Sequence, residues 1–141
     1  AKRFKFNTPK VDALDFSFSG LKTSILYYLQ KEVRNDADFI QKNKNDLCAS
    51  IQYTIVSYLM IKLEKAILET GISQIGIGGG VAANSFLRSS LEGLAVKHNA
   101  VAYIPKFEYC TDNAAMIAFA GKVKLEQQNY GTLTDVCFTR K

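Results

Sequence analysis

The glycine-rich segment 76–84 holds the groups of this chain that are most suited to binding an anion. It follows residues 72–75, which are predicted to form a short buried strand, and precedes a helical pattern that opens at Ser85. Glycine lets a backbone approach a ligand closely, and a helix start offers unpaired N–H groups at the positive end of its dipole. Asn84 adds an amide that can both donate and accept. The pattern predicts either a phosphate-binding turn or an ordinary tight turn between a strand and a helix.

Two familiar glycine motifs do not fit this segment. A Walker loop needs a lysine after its glycines, and none follows here. The dinucleotide fingerprint, counted from Gly76 and Gly78, would need its third glycine at Val81. The glycines alone therefore leave the ligand open.

A second segment with chemical potential, 110–118, opens the last helical pattern. Thr111 or Asp112 could be the N-cap of that helix. Alternatively, Asp112 could ligate a cation beside a bound phosphate, because it would lie near the carboxyl end of a strand. Cys110 is a possible ligand by type, but one Asp and one Cys do not complete a metal site. The single histidine, His98, is predicted to be a surface residue, so further metal ligands would have to come from outside this chain.

Other catalytic and structural chemistries receive little support. No Ser/His/Asp triad and no spaced carboxylate pair is evident. The three cysteines are far apart, without a CxxC motif, which argues against a disulfide framework or structural zinc, and Cys48 is predicted to be buried in a helix. The net charge of +5 and pI of about 9.1 permit an anionic partner, but the scattered lysines also fit a solvated surface.

The 141 residues are enough for one compact domain. We expect no membrane association, because no apolar run is long enough to span a bilayer. The start lacks the apolar core of a signal peptide, and a reducing cytoplasm is the expected compartment. The chain does not begin with Met, which is consistent with a fragment or a processed protein.

The hydrophobic spacing predicts the elements that position these segments. The first 19 residues are predicted to be extended, because their apolar and polar side chains alternate with a period of two. The polar stretch that leads to about Asp46 is predicted to hold at most one short helix near Phe39.

The first predicted helix runs from Ser19 as N-cap to about 36, and the second covers 47–69, with Asp46 as N-cap and Gly71 as the residue that ends it in a left-handed conformation. Further helices are predicted over 84–98 and 112–128, and strands at 73–78, 100–104 and 135–138. The apolar residues of the last helix are expected to turn largely inward: Ala115, Ile117, Ala118, Ala120 and Leu125.

This order predicts an α/β layer with a parallel strand pair. Ligands of such sheets bind at the carboxyl ends of the strands. The loops 78–84 and 105–112 are therefore expected to face one cleft.

Three segments, in this order, closely resemble the C-terminal part of the TsaD family, older members of which were called glycoproteases or O-sialoglycoprotein endopeptidases. The resemblance covers about residues 4–124. The segments are Asp15-Phe16-Ser17-Phe18-Ser19-Gly20-Leu21-Lys22-Thr23, Gly79-Gly80-Val81-Ala82-Ala83-Asn84 with Leu87-Arg88, and Cys110-Thr111-Asp112-Asn113-Ala114-Ala115-Met116-Ile117-Ala118.

The resemblance implies an α/β, actin/Hsp70/sugar-kinase-like fold, with residues 1–141 forming its C-terminal lobe. It implies transfer of a threonylcarbamoyl group from threonylcarbamoyl-AMP to the adenosine next to the anticodon in tRNA. Asp112 would bind an active-site iron or zinc, shared with histidines of an HxxxH pair in an N-terminal lobe. Asn84 would contact the adenylate, and Gly79 and Gly80 would let the backbone approach it. No residue is identified as a general base.

The implied partners are tRNA, threonylcarbamoyl-AMP, and TsaB-like and TsaE-like proteins. The chain lacks the family's N-terminal half, so we expect it to be inactive alone. We also expect an exposed apolar face and self-association. Two alternatives stay open: a related carbamoyl- or phosphotransferase of the same fold, and a non-catalytic scaffold paralogue. The endopeptidase activity is not favoured, because no nucleophile is visible.

Overall fold

The computed structural model describes residues 2–132 and 134–135 as an α/β arrangement of four helices and two short strands. Two 3-10 turns, Gly80–Ala83 and Phe107–Tyr109, follow the strands. The helices and strands are α1 (Phe18–Asn35), α2 (Phe39–Thr70), β1 (Gln74–Gly76), α3 (Ser85–Lys97), β2 (Val101–Tyr103) and α4 (Ala114–Glu126). None of the described helices has the length and apolarity needed to cross a membrane.

The N-terminal segment 2–17 contains no strand, so the period-2 alternation of its side chains has another cause. Its aromatic residues pack on helices: the Phe6 ring lies 5.2 Å from that of Tyr28, and the Phe4 ring lies 5.7 Å from that of Phe39. The backbone N–H of Phe4 donates to Ser50 Oγ. One apolar face therefore covers helices instead of joining a sheet.

Helix α1 begins two residues earlier than expected because Ser17, and not Ser19, is the N-cap. The Ser17 side chain accepts a hydrogen bond from the backbone N–H of Gly20 at 3.3 Å. The helix ends at Asn35, as predicted.

Helix α2 is longer than predicted because the polar stretch before Asp46 is helical. Its N-cap position is Asp38, and not Asp46. Phe39 is held by the aromatic packing described above, and Lys42 pairs with Asp36 at 2.8 Å. The long-range contact of Phe39 is invisible to a search for helical periodicity. The helix ends at Gly71, whose φ of 69° confirms the predicted left-handed end.

The two strands form the predicted parallel pair, with Gln74 opposite Val101 and Gly76 opposite Tyr103. Each strand is shorter than predicted. One face of the sheet packs on α2 and α3, where the fully buried Leu91 contacts Ile75 and Ile67 in a core cluster. Val101 and Tyr103 lie exposed on the other face. The sheet is therefore covered on one side only by the described residues.

Helix α4 was expected to turn Ala115, Ile117, Ala118, Ala120 and Leu125 inward, and that expectation is wrong. No residue of this helix is buried, and Ile117 is 72% exposed. The helix is apolar around most of its circumference, and the described residues provide no layer against it. The predicted strand at 135–138 falls mainly on residues outside the described part of the chain.

Candidate functional site

The glycine turn, residues 77–84, leaves the carboxyl end of β1. Gly79 has φ 76° and ψ 179°, a conformation open almost only to glycine. A Cβ placed on Gly79 or Gly80 would meet no atom within 4 Å. The backbone here is therefore accessible to a ligand from outside, and its shape depends on Gly79.

Asn84 joins the glycine turn to α3 and is the N-cap of that helix. Its Oδ1 accepts from the backbone N–H of Leu87 at 3.0 Å, and its Nδ2 donates to Gln52 Oε1 at 3.2 Å. The amide still has one N–H and one oxygen lone pair free of these two bonds. Asn84 is thus held in a fixed orientation with capacity for a ligand.

An apolar groove with a volume of about 360 Å³ lies beside Asn84, between α2 and the glycine turn. Gln52 and Asn84 are polar groups at its wall, and Val81 and Leu87 belong to its apolar lining. Apolar walls with a few polar groups are typical of a site for a small organic molecule.

Asp112 is exposed and is not a helix cap. The N-cap of α4 is Asn113, whose Oδ1 accepts from the Met116 backbone N–H at 3.0 Å, so neither Thr111 nor Asp112 has the predicted capping role. Among the described residues, the Asp112 carboxylate has no hydrogen bond and no ion pair. Its oxygens are therefore available to a cation or another partner.

Arg88 connects the glycine turn to the loop 105–112. Its Nη1 donates to the Ala82 carbonyl at 2.7 Å, and its Nη2 donates to the Pro105 carbonyl. Its guanidinium carbon lies 4.3 Å from the centre of the Phe107 ring. These contacts confirm that the two loops lie together at one edge of the sheet.

The other titratable candidates are placed differently from Asp112. Cys110 is buried, and its Sγ contacts the Lys106 carbonyl at 3.5 Å and Arg88 at 3.7 Å, so it does not face a ligand. Cys48 lies on helix α2, but its side chain is exposed, so the prediction that it is buried is wrong. His98 was expected at the surface, but its side chain is only 15% exposed and its Nε2 lies 2.6 Å from Glu64 Oε1.

Within residues 2–132 and 134–135, no group of three His, Cys, Asp or Glu side chains could hold a metal ion. Asp112 by itself fits the part of one oxygen ligand, because its carboxylate is exposed and unpaired within those residues. Cys110 does not fit, since its sulfur is buried in contacts with protein atoms.

Sequence reasoning named Asn84, Gly79, Gly80 and Asp112 but missed the links made by Arg88 and Gln52. Arg88 could have been found from its spacing. It is the fourth residue after the Asn84 cap, and helical side chains tilt towards the N-terminus. An arginine there points back to the sheet edge. Gln52 lies on another helix, and no local signal connects it to Asn84.

Comparison with known proteins adds the identity of the family. The family model described as TsaD, tRNA N6-adenosine threonylcarbamoyltransferase, matches residues 1–119. This chain is similar to proteins of that name from three organisms: Christiangramia forsetii (54% identity over 92% of this chain), Riemerella anatipestifer (48% over 97%) and Porphyromonas gingivalis (46% over 97%). The chain covers 38%, 40% and 40% of those relatives, respectively. With the family model matching most of its length, this chain belongs to the TsaD family of tRNA N6-adenosine threonylcarbamoyltransferases.

Proposed function

We propose that this chain supplies half of the active site of an enzyme that moves a threonylcarbamoyl group from threonylcarbamoyl-AMP to an adenosine next to the anticodon in tRNA. The observation that carries the proposal is the meeting of two loops at one sheet edge in a chain of this family. Arg88 connects the turn that contains Asn84 to the loop that contains Asp112.

The glycine turn is proposed to hold the adenylate part of the donor. The open backbone at Gly79 and Gly80 admits close approach of a phosphate or ribose. Asn84 offers its remaining N–H and oxygen lone pair to the nucleotide, and the first N–H groups of α3 favour an anion. The apolar groove beside Asn84 provides a wall for a flat base.

Asp112 is proposed to supply one ligand to a divalent cation, iron or zinc. The other protein ligands would be histidines of an N-terminal lobe. Bound there, the cation would act as a Lewis acid on the carbonyl of the transferred group.

In the proposed reaction the exocyclic amine of adenosine forms a bond to the carbamoyl carbon. The bond from that carbon to the phosphate oxygen breaks, AMP leaves, and the amine proton passes to solvent. No described side chain is assigned as a general base, so the main contribution of this chain is to hold the donor in line with the amine.

We also propose that the chain is the C-terminal lobe of an actin/Hsp70/sugar-kinase-like protein. That protein would work in the cytoplasm with tRNA and with TsaB-like and TsaE-like proteins. The helices and the small parallel sheet are compatible with that lobe. The isolated 141-residue chain is expected to transfer nothing, and activity from it would contradict the half-site proposal.

The decisive experiment replaces Asp112 by Ala in the complete reading frame, expressed in cells that lack their own enzyme. Threonylcarbamoyl-adenosine in tRNA is then quantified by mass spectrometry. We expect loss of the modified nucleoside at normal protein levels, because the site would lose one of the side chains that bind the metal ion.

Glu108→Ala is the matched control, since Glu108 is an exposed carboxylate of the same loop. It should leave the modification unchanged. Full modification with Asp112→Ala would remove Asp112 from the chemistry. Absence of modification with the wild-type frame would favour a scaffold protein or a different carbamoyl- or phosphotransferase.

A further inference from the structure

Arg88 is partly buried, and all its described polar contacts are to backbone carbonyls or to a sulfur. It makes no ion pair with a carboxylate within the described residues. An arginine that only solubilises a helix surface would leave its guanidinium in water. Here the guanidinium donates hydrogen bonds to backbone carbonyls of the glycine turn and of the loop 105–112.

The geometry of these contacts is specific to a guanidinium. Nη1 reaches the Ala82 carbonyl at 2.7 Å and Nη2 reaches the Pro105 carbonyl, so two adjacent donors of one planar group bind two separate loops. The same group lies over the Phe107 ring, and Nη1 is 3.7 Å from Cys110 Sγ. Lysine has a single ammonium and could not span both carbonyls in this fixed fork.

The contact points are close in sequence to both proposed ligand-binding residues. Ala82 is two residues before Asn84, and Cys110 is two residues before Asp112. Any shift of the guanidinium would therefore move the glycine turn and the Asp112 loop relative to each other. Neither loop has another described side-chain hydrogen bond to the other.

We infer that Arg88 is a positioning residue, which fixes the separation of the donor-contacting Asn84 and the metal-binding Asp112 without touching either ligand. The inference rests on the proposed function. It assigns Arg88 to the rate of the transfer step and not to the affinity for the donor.

The test compares Arg88→Ala and Arg88→Lys with wild type in the complete reading frame, with threonylcarbamoyl-AMP and tRNA as substrates. Displacement of reacting groups by about 1 Å costs on the order of 100-fold in rate. We therefore expect kcat to fall about 100-fold in Arg88→Ala, while KM for threonylcarbamoyl-AMP stays within roughly threefold. Arg88→Lys keeps the charge and most of the packing and should still lose most of the rate.

Chemical rescue separates positioning from a general loss of folding. Millimolar methylguanidine can occupy the space left in Arg88→Ala and should restore part of kcat. It should not affect Arg88→Lys, where the space is filled. Arg34→Ala is the matched control, since Arg34 is an exposed arginine at the end of α1. A kcat near the wild-type value in Arg88→Ala, or a rise in KM that accounts for the loss, would overturn the inference.

A second readout does not depend on turnover. Cys110 is 2% exposed beside Arg88, whereas Cys48 is exposed on α2. In Arg88→Ala, N-ethylmaleimide should label Cys110 several-fold faster, as followed by peptide mass spectrometry, with the Cys48 rate unchanged. Unchanged protection of Cys110 would overturn the inference even if the wild-type enzyme proved inactive. Inactivity of the wild type alone would count against the proposed function and not against the loop connection.

Discussion

At the scale of single residues, Gly79 has the most constrained backbone of the site. We expect Gly79→Ala to lower the free energy of unfolding by about 1–3 kcal/mol, because φ is 76° while no neighbouring atom clashes with the new Cβ. Urea unfolding would measure the loss. In the control Gly78→Ala, at a glycine without positive φ, stability should be equal or higher by up to about 1 kcal/mol. Equal effects of the two substitutions would show that φ at Gly79 is not the cause.

The sequence alone was enough to name Gly79, Asn84 and Asp112 as candidates, because their chemistry is visible in the local sequence. Their roles in the structure were less predictable. Asn113 and not Asp112 caps α4, since two adjacent residues can both satisfy the sequence rule for a cap and only backbone geometry chooses between them. The spacing of Arg88 from the Asn84 cap indicates its direction but not its partners, because these are backbone carbonyls, which every sequence has.

At the scale of elements, Glu64 of α2 connects to the end of α3. Its Oε1 lies 2.6 Å from Lys97 Nζ and 2.6 Å from His98 Nε2. The hydrogen bond from Lys97, followed by that from His98, holds the pKa of Glu64 below its usual range. A lowered carboxyl pKa means that the stabilisation is fully present above the ordinary value of about 4.3 and is lost as pH falls through the folded-state pKa.

We therefore expect Glu64→Gln to lower the urea midpoint at about pH 6 and to lower it by less at about pH 3, because the stabilisation from ionised Glu64 declines below the ordinary carboxyl value of about 4.3. Glu92→Gln, at an exposed carboxylate of α3, serves as the control and should show no such pH dependence. An equal deficit of Glu64→Gln at both pH values would refute the assignment of the effect to ionised Glu64.

The order and type of the central elements followed from hydrophobic periodicity, and the parallel pairing followed from their alternation, whereas the predicted N-caps of α1, α2 and α4 were wrong. Two of the errors share a physical cause, which is contact with distant parts of the chain. The first turns of α2 depend on Phe39 packing against Phe4, and the segment 2–17 alternates because it lies on helices. The direction of α4 could not be predicted, because a helix that is apolar all round has no preferred inward face.

At the scale of the whole molecule, the described residues leave apolar side chains exposed on the sheet and on α4. On the sheet these are Val101 and Tyr103, and on α4 they include Ile117 and Phe119, which are 72% and 69% exposed. Contiguous apolar surface of this kind promotes association. We expect the isolated 141-residue chain to self-associate with rising concentration, measurable by light scattering after size-exclusion chromatography.

The double substitution Ile117→Lys and Phe119→Lys should shift the chain towards monomer, because it places two charges on α4 without removing a buried side chain. Lys122→Glu, at an exposed polar position of the same helix, is the control for a change of charge alone. A wild-type chain that stays monomeric at high concentration would contradict this expectation.

The parallel pairing of β1 and β2 also sets the order in which the molecule can assemble. The strands are joined through α3, so they can pair only after the chain has crossed over through that helix, which packs on α2 in the folded molecule. Such non-local pairing is intrinsically slow compared with helix formation. The glycine turn and the Asp112 loop therefore meet late, and an early intermediate composed of helices would have no site. Pulsed hydrogen exchange should accordingly protect the amides of α2 before that of Ile77, which donates to the Tyr103 carbonyl across the two strands.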